Sequence, residues 1–186
     1  MNEQKRGNKQ IFLTMIFLIA GMICGGNSFA QSREYLLKAG FLEKFTHFVE
    51  WPGLNPGNSP AETFKIAVIG ENRFDRALEE IFSKAKVKNR PPEIRYISSA
   101  NEIKDCMMLF ISGKMDNKLE EILGYTTGKP ILTISENSGY GRRGAIINMV
   151  LVNDYIRYEI NRDALAKSGL KMSSLLLESA IIVKDE

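Results

Sequence analysis

The sequence predicts an α/β fold: a single three-layer domain with a mostly parallel sheet, helices on both faces and an antiparallel edge extension. Between residues 64 and 135, short apolar runs alternate with segments of helical periodicity, as in parallel strands joined by crossover helices. After Gly139 the pattern changes to two adjacent extended runs, which favours a hairpin at the sheet edge. We find no internal repeat or domain boundary, so residues 31–186 are expected to form one domain.

The first thirty residues have the features of a secretory signal peptide. A basic start, an apolar run and a pair of small residues follow one another: Lys5, Arg6 and Lys9, then Ile11–Ile23, then Ser28 and Ala30. The apolar run is shorter than the ~20 residues that a spanning helix needs. We therefore expect residues 1–30 to be cleaved after Ala30 and the mature chain, Gln31–Glu186, to be soluble in the periplasm. An uncleaved membrane anchor is the alternative.

Charge and cysteine content narrow the classes of function. Removing residues 1–30 takes 25 basic residues to 22 and 22 acidic residues to 21, which leaves a net charge near +1. This balance gives no electrostatic case for nucleic acid or an anionic membrane as partner. The mature chain keeps only Cys106, which excludes an internal disulfide and metal sites built on several thiolates. Because an apolar run follows it, Cys106 is expected to be buried; a reactive or intermolecular thiol is the alternative.

The first element of the mature chain is an amphipathic helix over Arg33–Val49. Its apolar residues recur at spacings of three and four, and its polar residues lie elsewhere around the helix. The expected apolar face comprises Leu37, Phe41, Phe45, Phe48 and Val49, and the polar positions are Glu34, Lys38, Lys44 and His47. Trp51-Pro52 ends the helix because the residue before proline avoids helical dihedral angles. Leu54–Thr63, rich in glycine and proline, is a loop.

The central part of the chain contains four predicted strands and two crossover helices. The strands are Phe64–Ile69, Glu93–Ile97, Met107–Ile111 and Ile131–Ser135, and the helices are Arg73–Lys84 and Asp116–Tyr125. The strands are short continuous apolar runs, as expected where both faces of a parallel sheet are covered.

Two extended runs and two helices complete the predicted elements. Ala145–Val152 and Tyr155–Ile160 form a hairpin with Asn153-Asp154 at its turn, and the second run alternates cleanly. Asn161 is suited to cap a helix over Arg162–Lys167 that Gly169 ends. Ser173–Ile182 is predicted to be a last apolar helix.

The sequence contains a literal G-x-G-x-x-G, from Gly139 to Gly144. In a dinucleotide-binding fold the third glycine opens a helix, whereas here it opens a β-branched segment. We therefore interpret it as a connection between strands, although Arg142 and Arg143 are suited to hold a phosphate or carboxylate. His47 is the only histidine, and no nucleophile, base or carboxylate pair has catalytic spacing. We predict no enzymatic activity, no cofactor and no metal.

Two further groups are candidate binding residues. Ser135, Glu136, Asn137 and Ser138 follow the fourth strand, where the carboxyl ends of parallel strands line ligand crevices; a plain turn is the alternative. With Arg142 and Arg143 they form the predicted ligand crevice. The aromatic residues Phe41, Phe48 and Trp51 are candidate anchors for a protein partner if they are exposed, and core residues otherwise.

Four segments of the chain resemble the YfiR-like family of periplasmic proteins. They are Glu34–Pro52, Phe64–Gly70, Leu132–Asn148 with its glycines, and Tyr158–Leu176. They occur in the family's order and extend over nearly the whole mature chain. One departure is Cys106-Met107, where the family commonly has Cys-His, and the single mature cysteine means that disulfide control does not carry over.

The resemblance implies a regulator. The best-understood member represses an inner-membrane diguanylate cyclase by contacting its periplasmic sensor region, which lowers cyclic di-GMP and biofilm formation. We therefore expect a periplasmic region of an inner-membrane sensor, a diguanylate cyclase above all, as partner, with a homodimer left open. The alternatives are a small-ligand-binding accessory subunit of another membrane sensor and an exported hydrolase.

Overall fold

A mixed seven-stranded sheet lies at the centre of the computed structural model, which describes residues 26–54, 62–84, 86–113, 115–153 and 155–186. Numbered along the chain, the described strands are β1 (Val49–Glu50), β2 (Phe64–Gly70), β3 (Pro92–Ile97), β4 (Met108–Ser112), β5 (Leu132–Ser135), β6 (Ile147–Val152), β7 (Tyr155–Asn161), β8 (Lys171–Met172) and β9 (Ile181–Val183). The sheet has the order β3-β2-β4-β5-β6-β7-β9, and β1 pairs separately with β8. Strands β2 to β6 are parallel, whereas β7 is antiparallel to β6. This arrangement confirms the predicted α/β class and its antiparallel edge.

Helices lie on both faces of the sheet. They are α1 (Gly26–Phe48), α2 (Ala77–Phe82), α3 (Leu119–Thr126), α4 (Arg162–Ser168) and α5 (Ser174–Glu178), with a 3₁₀ turn at Ala100–Glu102. On one face, α1 and α2 cover one core; on the other, α3 and the 3₁₀ turn cover a second. Successive residues of a strand point to opposite faces of the sheet, so their side chains lie in the two cores in turn. Val68 and Phe110 lie in the first core, and Ala67 and Leu109 lie in the second.

The buried face of α1 differs from the predicted face. Tyr35, Ala39, Leu42 and Phe45 are buried at helical spacing, and Leu37, placed on the apolar face by the sequence pattern, is 53% exposed. Lys38, expected on the polar side, is buried. The prediction was wrong at both positions: Lys38 is buried because a carboxylate from a distant part of the chain pairs with it, and Leu37 faces away from the core.

The crossover helix α2 is shorter than the predicted Arg73–Lys84. The side chain of Asn72 accepts a hydrogen bond from the backbone N–H of Phe74, and Asp75 adopts a positive φ of 50°. These two features form a turn that delays the helix to Ala77. The local hydrogen bond to an asparagine side chain competes with helical hydrogen bonding at this point.

The end of the chain corrects another prediction. Ser173–Ile182 was predicted to be a helix, but α5 ends at Glu178 and β9 follows. Strand β9 pairs in parallel with β7, with Ile181 opposite Glu159 and Val183 opposite Asn161. The β-branched residues of β9 form backbone hydrogen bonds with the edge of β7, which would otherwise be unpaired. Helical periodicity in the sequence carries no information about this distant strand edge.

Other local predictions are confirmed. The Asn161 side chain accepts a hydrogen bond from Ala164 at the start of α4, and Gly169 ends the helix at φ 72°. The segment from Gly139 to Gly144 forms turns and leads into the strand β6 instead of a helix. Of the predicted hairpin turn, Asp154 lies outside the described residues, as does most of the predicted loop over Leu54–Thr63.

The predicted signal peptide falls outside the described residues up to position 25. In the part of the chain that the structure describes, no helix combines the length and apolar character needed to cross a membrane.

Candidate functional site

The carboxyl ends of β2 and β4 meet at a topological switch point. The chain leaves β2 towards β3 on one side and leaves β4 towards β5 on the other. In open α/β sheets this is where the crevice for a ligand forms. Here Gly70 at the end of β2 lies opposite Ser112 at the end of β4, and a Cβ on Gly70 would overlap the Ser112 carbonyl oxygen. The two strand ends are therefore in close contact.

The carboxylate of Glu136 lies next to this switch point and is almost fully buried. Tyr35 of α1 donates its hydroxyl hydrogen bond to the carboxylate, with oxygen distances of 2.9 and 2.8 Å. Lys38 places its Nζ 2.6 Å from Oε2, and the backbone N–H of Gly113 donates to Oε1 at 2.8 Å. The Lys38 and Glu136 side chains are only 7% and 3% exposed. A buried charge requires such partners because its desolvation otherwise costs several kcal/mol.

Arg73 extends the group of residues around Glu136. Its guanidinium lies 3.4 Å from the Tyr35 hydroxyl oxygen and forms an ion pair with Glu71 at 2.6 Å. Burial raises the pKa of Tyr35 above its ordinary value, so the hydroxyl stays protonated and able to donate. The hydrogen bond to Tyr35, followed by the one to Glu71, raises the pKa of Arg73. We call Tyr35, Lys38, Arg73 and Glu136 the carboxyl-edge cluster.

The carboxyl-edge cluster is suited to holding α1 against the sheet. Its donors and acceptors satisfy one another, and Glu136 already accepts from a hydroxyl, an ammonium and a backbone N–H. With these partners in place, the Glu136 carboxylate has little hydrogen-bonding capacity left for a substrate. Sequence reasoning found Glu136 but missed Tyr35, Lys38 and Arg73. The sequence signal that could have found this cluster was the position of Lys38, a charged residue within one turn of the buried residues of α1. A charged residue at such a position indicates a buried partner of opposite charge.

The structure separates the residues of the predicted ligand crevice. Ser135 is fully buried and donates to the Asn148 side chain at 2.8 Å, and Asn137 donates to the Gly113 carbonyl at 2.6 Å. Glu136 belongs to the carboxyl-edge cluster. Arg142 and Arg143 line a different cleft. The predicted residues therefore do not converge on one site.

The cleft at Arg142 and Arg143 has a volume of about 370 Å³ and lies among α3, α4 and the last residues of the chain. Its walls carry three basic and three acidic side chains: Arg142, Arg143 and Lys167, and Glu120, Asp185 and Glu186. Lys167 forms an ion pair with Asp185 at 2.5 Å, which lowers the pKa of Asp185 and raises that of Lys167. Arg143 pairs with Asp116 at 3.4 Å.

The three predicted anchors for a partner have different environments. Trp51 is only 6% exposed, donates from Nε1 to the Met107 carbonyl at 2.9 Å and packs edge-on against Phe64. Phe41 and Phe48 are half-buried against the first core. The indole of Trp51 thus belongs to the core, and the two phenylalanines lie at its margin.

Three exposed apolar side chains lie at the turn end of the β6–β7 hairpin. Leu151, Val152 and Tyr155 are 58%, 43% and 74% exposed, and Val152 lies directly opposite Tyr155. We call these three residues the hairpin patch. Sequence analysis assigned them to strands without a function, since alternation alone does not show which strand ends project beyond the helices.

A cleft of about 270 Å³ lies between α1 and the β6–β7 hairpin, and we call it the α1–hairpin cleft. One end is charged and the other apolar. Its lining consists of Glu34, Lys38, Glu136, Ser138, Met149, Val150, Leu151 and Ile156. It connects the carboxyl-edge cluster with Leu151 of the hairpin patch.

Two isolated chemical groups lie away from these surfaces. Cys106 is 4% exposed, and burial raises the pKa of its thiol to about 11. Its burial confirms the expected core position. The His47 ring is exposed and lies 2.6 Å from Glu43, one turn earlier on α1. The raised pKa of Cys106 is the opposite of what an activated cysteine nucleophile requires.

Comparisons with known proteins place these features in context. The family model described as YfiR/HmsC-like matches residues 35–181. Among solved structures, the ABC domain in complex with L-Trp from Streptococcus pneumonia is similar at 12% identity, over 64% of this chain and 55% of that one, with a TM-score of 0.47. The ligand-free, open structure of CD0873, a substrate binding protein with adhesive properties from Clostridium difficile, is similar at 17% identity, over 67% and 56%, with a TM-score of 0.46. The chain spans little more than half the length of these two proteins.

Proposed function

Since the chain belongs to the YfiR/HmsC-like family of periplasmic regulators of cyclic di-GMP signalling, we propose that it represses an inner-membrane diguanylate cyclase. It does so by binding the periplasmic region of that enzyme. Restraint of the cyclase lowers cyclic di-GMP and with it biofilm formation. The protein acts by contact and carries out no reaction of its own.

The hairpin patch is the observation that carries this proposal. Exposed apolar side chains lose contact with water when a partner covers them, and buried aromatic anchors usually contribute most of the binding energy. Tyr155 presents a large aromatic ring at 74% exposure, with Val152 opposite it. Phe41 contacts Tyr158 on the α1 side of the same hairpin, at 6.2 Å between ring centroids, and is a second, separate contact residue.

Deletion and complementation test this function in cells. Deleting the gene is expected to raise cyclic di-GMP, and the wild-type gene supplied in trans is expected to restore the lower level. Tyr155→Ala is expected to restore it poorly, because truncating an anchor costs ~2 kcal/mol or more, about thirtyfold in affinity. Tyr125→Ala, an exposed tyrosine on α3, is the matched control and is expected to restore it fully.

Melting temperatures separate loss of binding from loss of fold. Tyr155→Ala is expected to melt like the wild type, since its side chain contacts mainly solvent. Trp51→Ala is expected to lower stability by about 3–5 kcal/mol, as for other large-to-small core changes. Unchanged cyclic di-GMP in the deletion strain would refute control of a cyclase.

The cleft at Arg142 and Arg143 favours a second candidate function, that of a small-ligand-binding accessory subunit of a membrane sensor. Its volume of about 370 Å³ lies within the ~300–1,000 Å³ of small-molecule sites. Two arginines there are suited to a carboxylate or phosphate. Inorganic phosphate and succinate are the probes: either is expected to raise the melting temperature of the wild type and not of Arg142→Ala. No shift with either anion would count against this candidate.

A further inference from the structure

The charged end of the α1–hairpin cleft holds more negative than positive charge. Lys38 lies 2.6 Å from Glu34 and 2.6 Å from Glu136, so one ammonium serves two carboxylates. The charged side chains that line the cleft therefore carry a net charge of −1. A second cation of suitable shape would neutralise the remaining charge.

Of the two carboxylates, Glu34 is the one a partner can reach. The Glu136 side chain is 3% exposed and accepts hydrogen bonds from Tyr35 and Gly113 as well as Lys38. The Glu34 side chain is 31% exposed, and Lys38 is its one charged partner among the described residues. An ionised carboxylate accepts up to about four hydrogen bonds, so Glu34 has acceptor capacity left.

The other end of the cleft is apolar. Met149, Leu151 and Ile156 line it, and Leu151 continues into the hairpin patch. A long side chain with an aliphatic stem and a charged end matches this division, since arginine and lysine lay their methylenes on apolar surface. The volume, about 270 Å³, is slightly below that of most small-molecule sites, which favours one side chain over a metabolite.

We propose that the α1–hairpin cleft receives a basic side chain of the protein partner, flanked by apolar residues that cover the hairpin patch. The cation pairs with Glu34 while its stem packs on Met149 and Ile156. This inference rests on the proposed function for the identity of the partner, but its charge chemistry is testable by itself.

Two synthetic peptides provide that test. One carries a central Leu-Arg-Leu; the other has citrulline in place of arginine, which keeps the shape and removes the charge. The protein purified from the periplasm is expected to bind the arginine peptide ~tenfold tighter, as a charge-assisted hydrogen bond implies. Fluorescence anisotropy at two salt concentrations measures the affinities, and the preference is expected to shrink as salt rises.

Variants locate the binding site. Glu34→Gln is expected to reduce the preference to twofold or less, and Glu43→Gln, elsewhere on the same helix, is expected to keep it. Leu151→Ser is expected to weaken both peptides equally. Equal binding of the two peptides, or a preference that survives Glu34→Gln, overturns the inference. These results do not depend on cyclic di-GMP, so failure here is distinguishable from failure of cyclase control in the deletion strain.

Discussion

At the scale of single residues, the buried Glu136 carboxylate joins α1 to the sheet. Its partners Tyr35 and Lys38 lie 101 and 98 residues away in the chain, and both belong to α1. Gly113, at the end of β4, supplies the backbone N–H. One side chain thus links the helix with the carboxyl ends of two strands. Its removal leaves the Lys38 ammonium buried with only Glu34 for balance.

Glu136→Ala is expected to destabilise the protein by about 3–5 kcal/mol, because the buried Lys38 ammonium loses its buried partner and keeps only the partly exposed Glu34. Urea titration of the free energy of unfolding measures this. Lys44→Ala, an exposed lysine of the same helix, is the control and is expected to change stability by less than about 0.5 kcal/mol. Equal stability of the two variants would contradict the role assigned to the carboxyl-edge cluster.

The thiol of Cys106 is expected to be inert in the native protein. With its pKa raised to about 11 by burial, roughly one thiol in a thousand is ionised at pH 8. Labelling with a thiol reagent at pH 8 is expected to be slow until urea is added. Rapid labelling of the folded protein, or a dimer that separates only with reductant, would show that this thiol is accessible.

At the scale of elements, glycine is needed at a strand end that lies against its neighbour and is not needed in the first helix. Gly70 ends β2 at φ 101°, where an added Cβ would meet the backbone of Ser112. Gly40 lies in α1, and an added Cβ there meets nothing within 4 Å. The same residue type is thus required at the switch point and dispensable in the helix.

Gly70→Ala is therefore expected to lower the free energy of unfolding by about 2 kcal/mol or more, from backbone strain and overpacking together. Gly40→Ala is expected to raise it by about 0.5–1 kcal/mol, since alanine favours the helix. Thermal or urea unfolding of the pair gives both signs. A Gly70→Ala variant as stable as the wild type would contradict the close approach of β2 and β4.

At the scale of the whole molecule, the predicted cleavage site and Glu34 lie at the same end of α1. The predicted cleavage after Ala30 falls inside α1, which the structure describes from Gly26. The mature helix would keep Tyr35, Lys38 and the residues that pack on the sheet. Glu34 would then lie within one turn of the new N-terminus, whereas the half-buried Phe41 lies further along the helix, against Tyr158 of the hairpin.

N-terminal sequencing of the protein from fractionated cells is expected to begin at Gln31, in the periplasmic fraction. The physical reason is the small residue at Ala30, two positions after Ser28, following a short apolar run. A full-length species in the cytoplasm would contradict both the cleavage and the proposed site of action.

The sequence by itself determined the α/β class, the parallel strands, the hairpin at the edge and the cap at Asn161. These features depend on periodicity and on hydrogen bonds within a few residues, which local sequence encodes. It also predicted that the glycine-rich segment from Gly139 to Gly144 leads into a strand, because β-branched residues follow.

Only the tertiary structure decided which polar residues work together. Lys38 has the local pattern of an exposed residue and is buried because Glu136 reaches it from the far end of β5. Ile181 and its neighbours form β9 because β7 has an open edge there. Arg142 and Glu136, six positions apart, line separate clefts because the chain between them turns from one strand to the next. Burial of a charge and pairing at a sheet edge depend on partners distant in sequence, and periodicity carries no information about those partners.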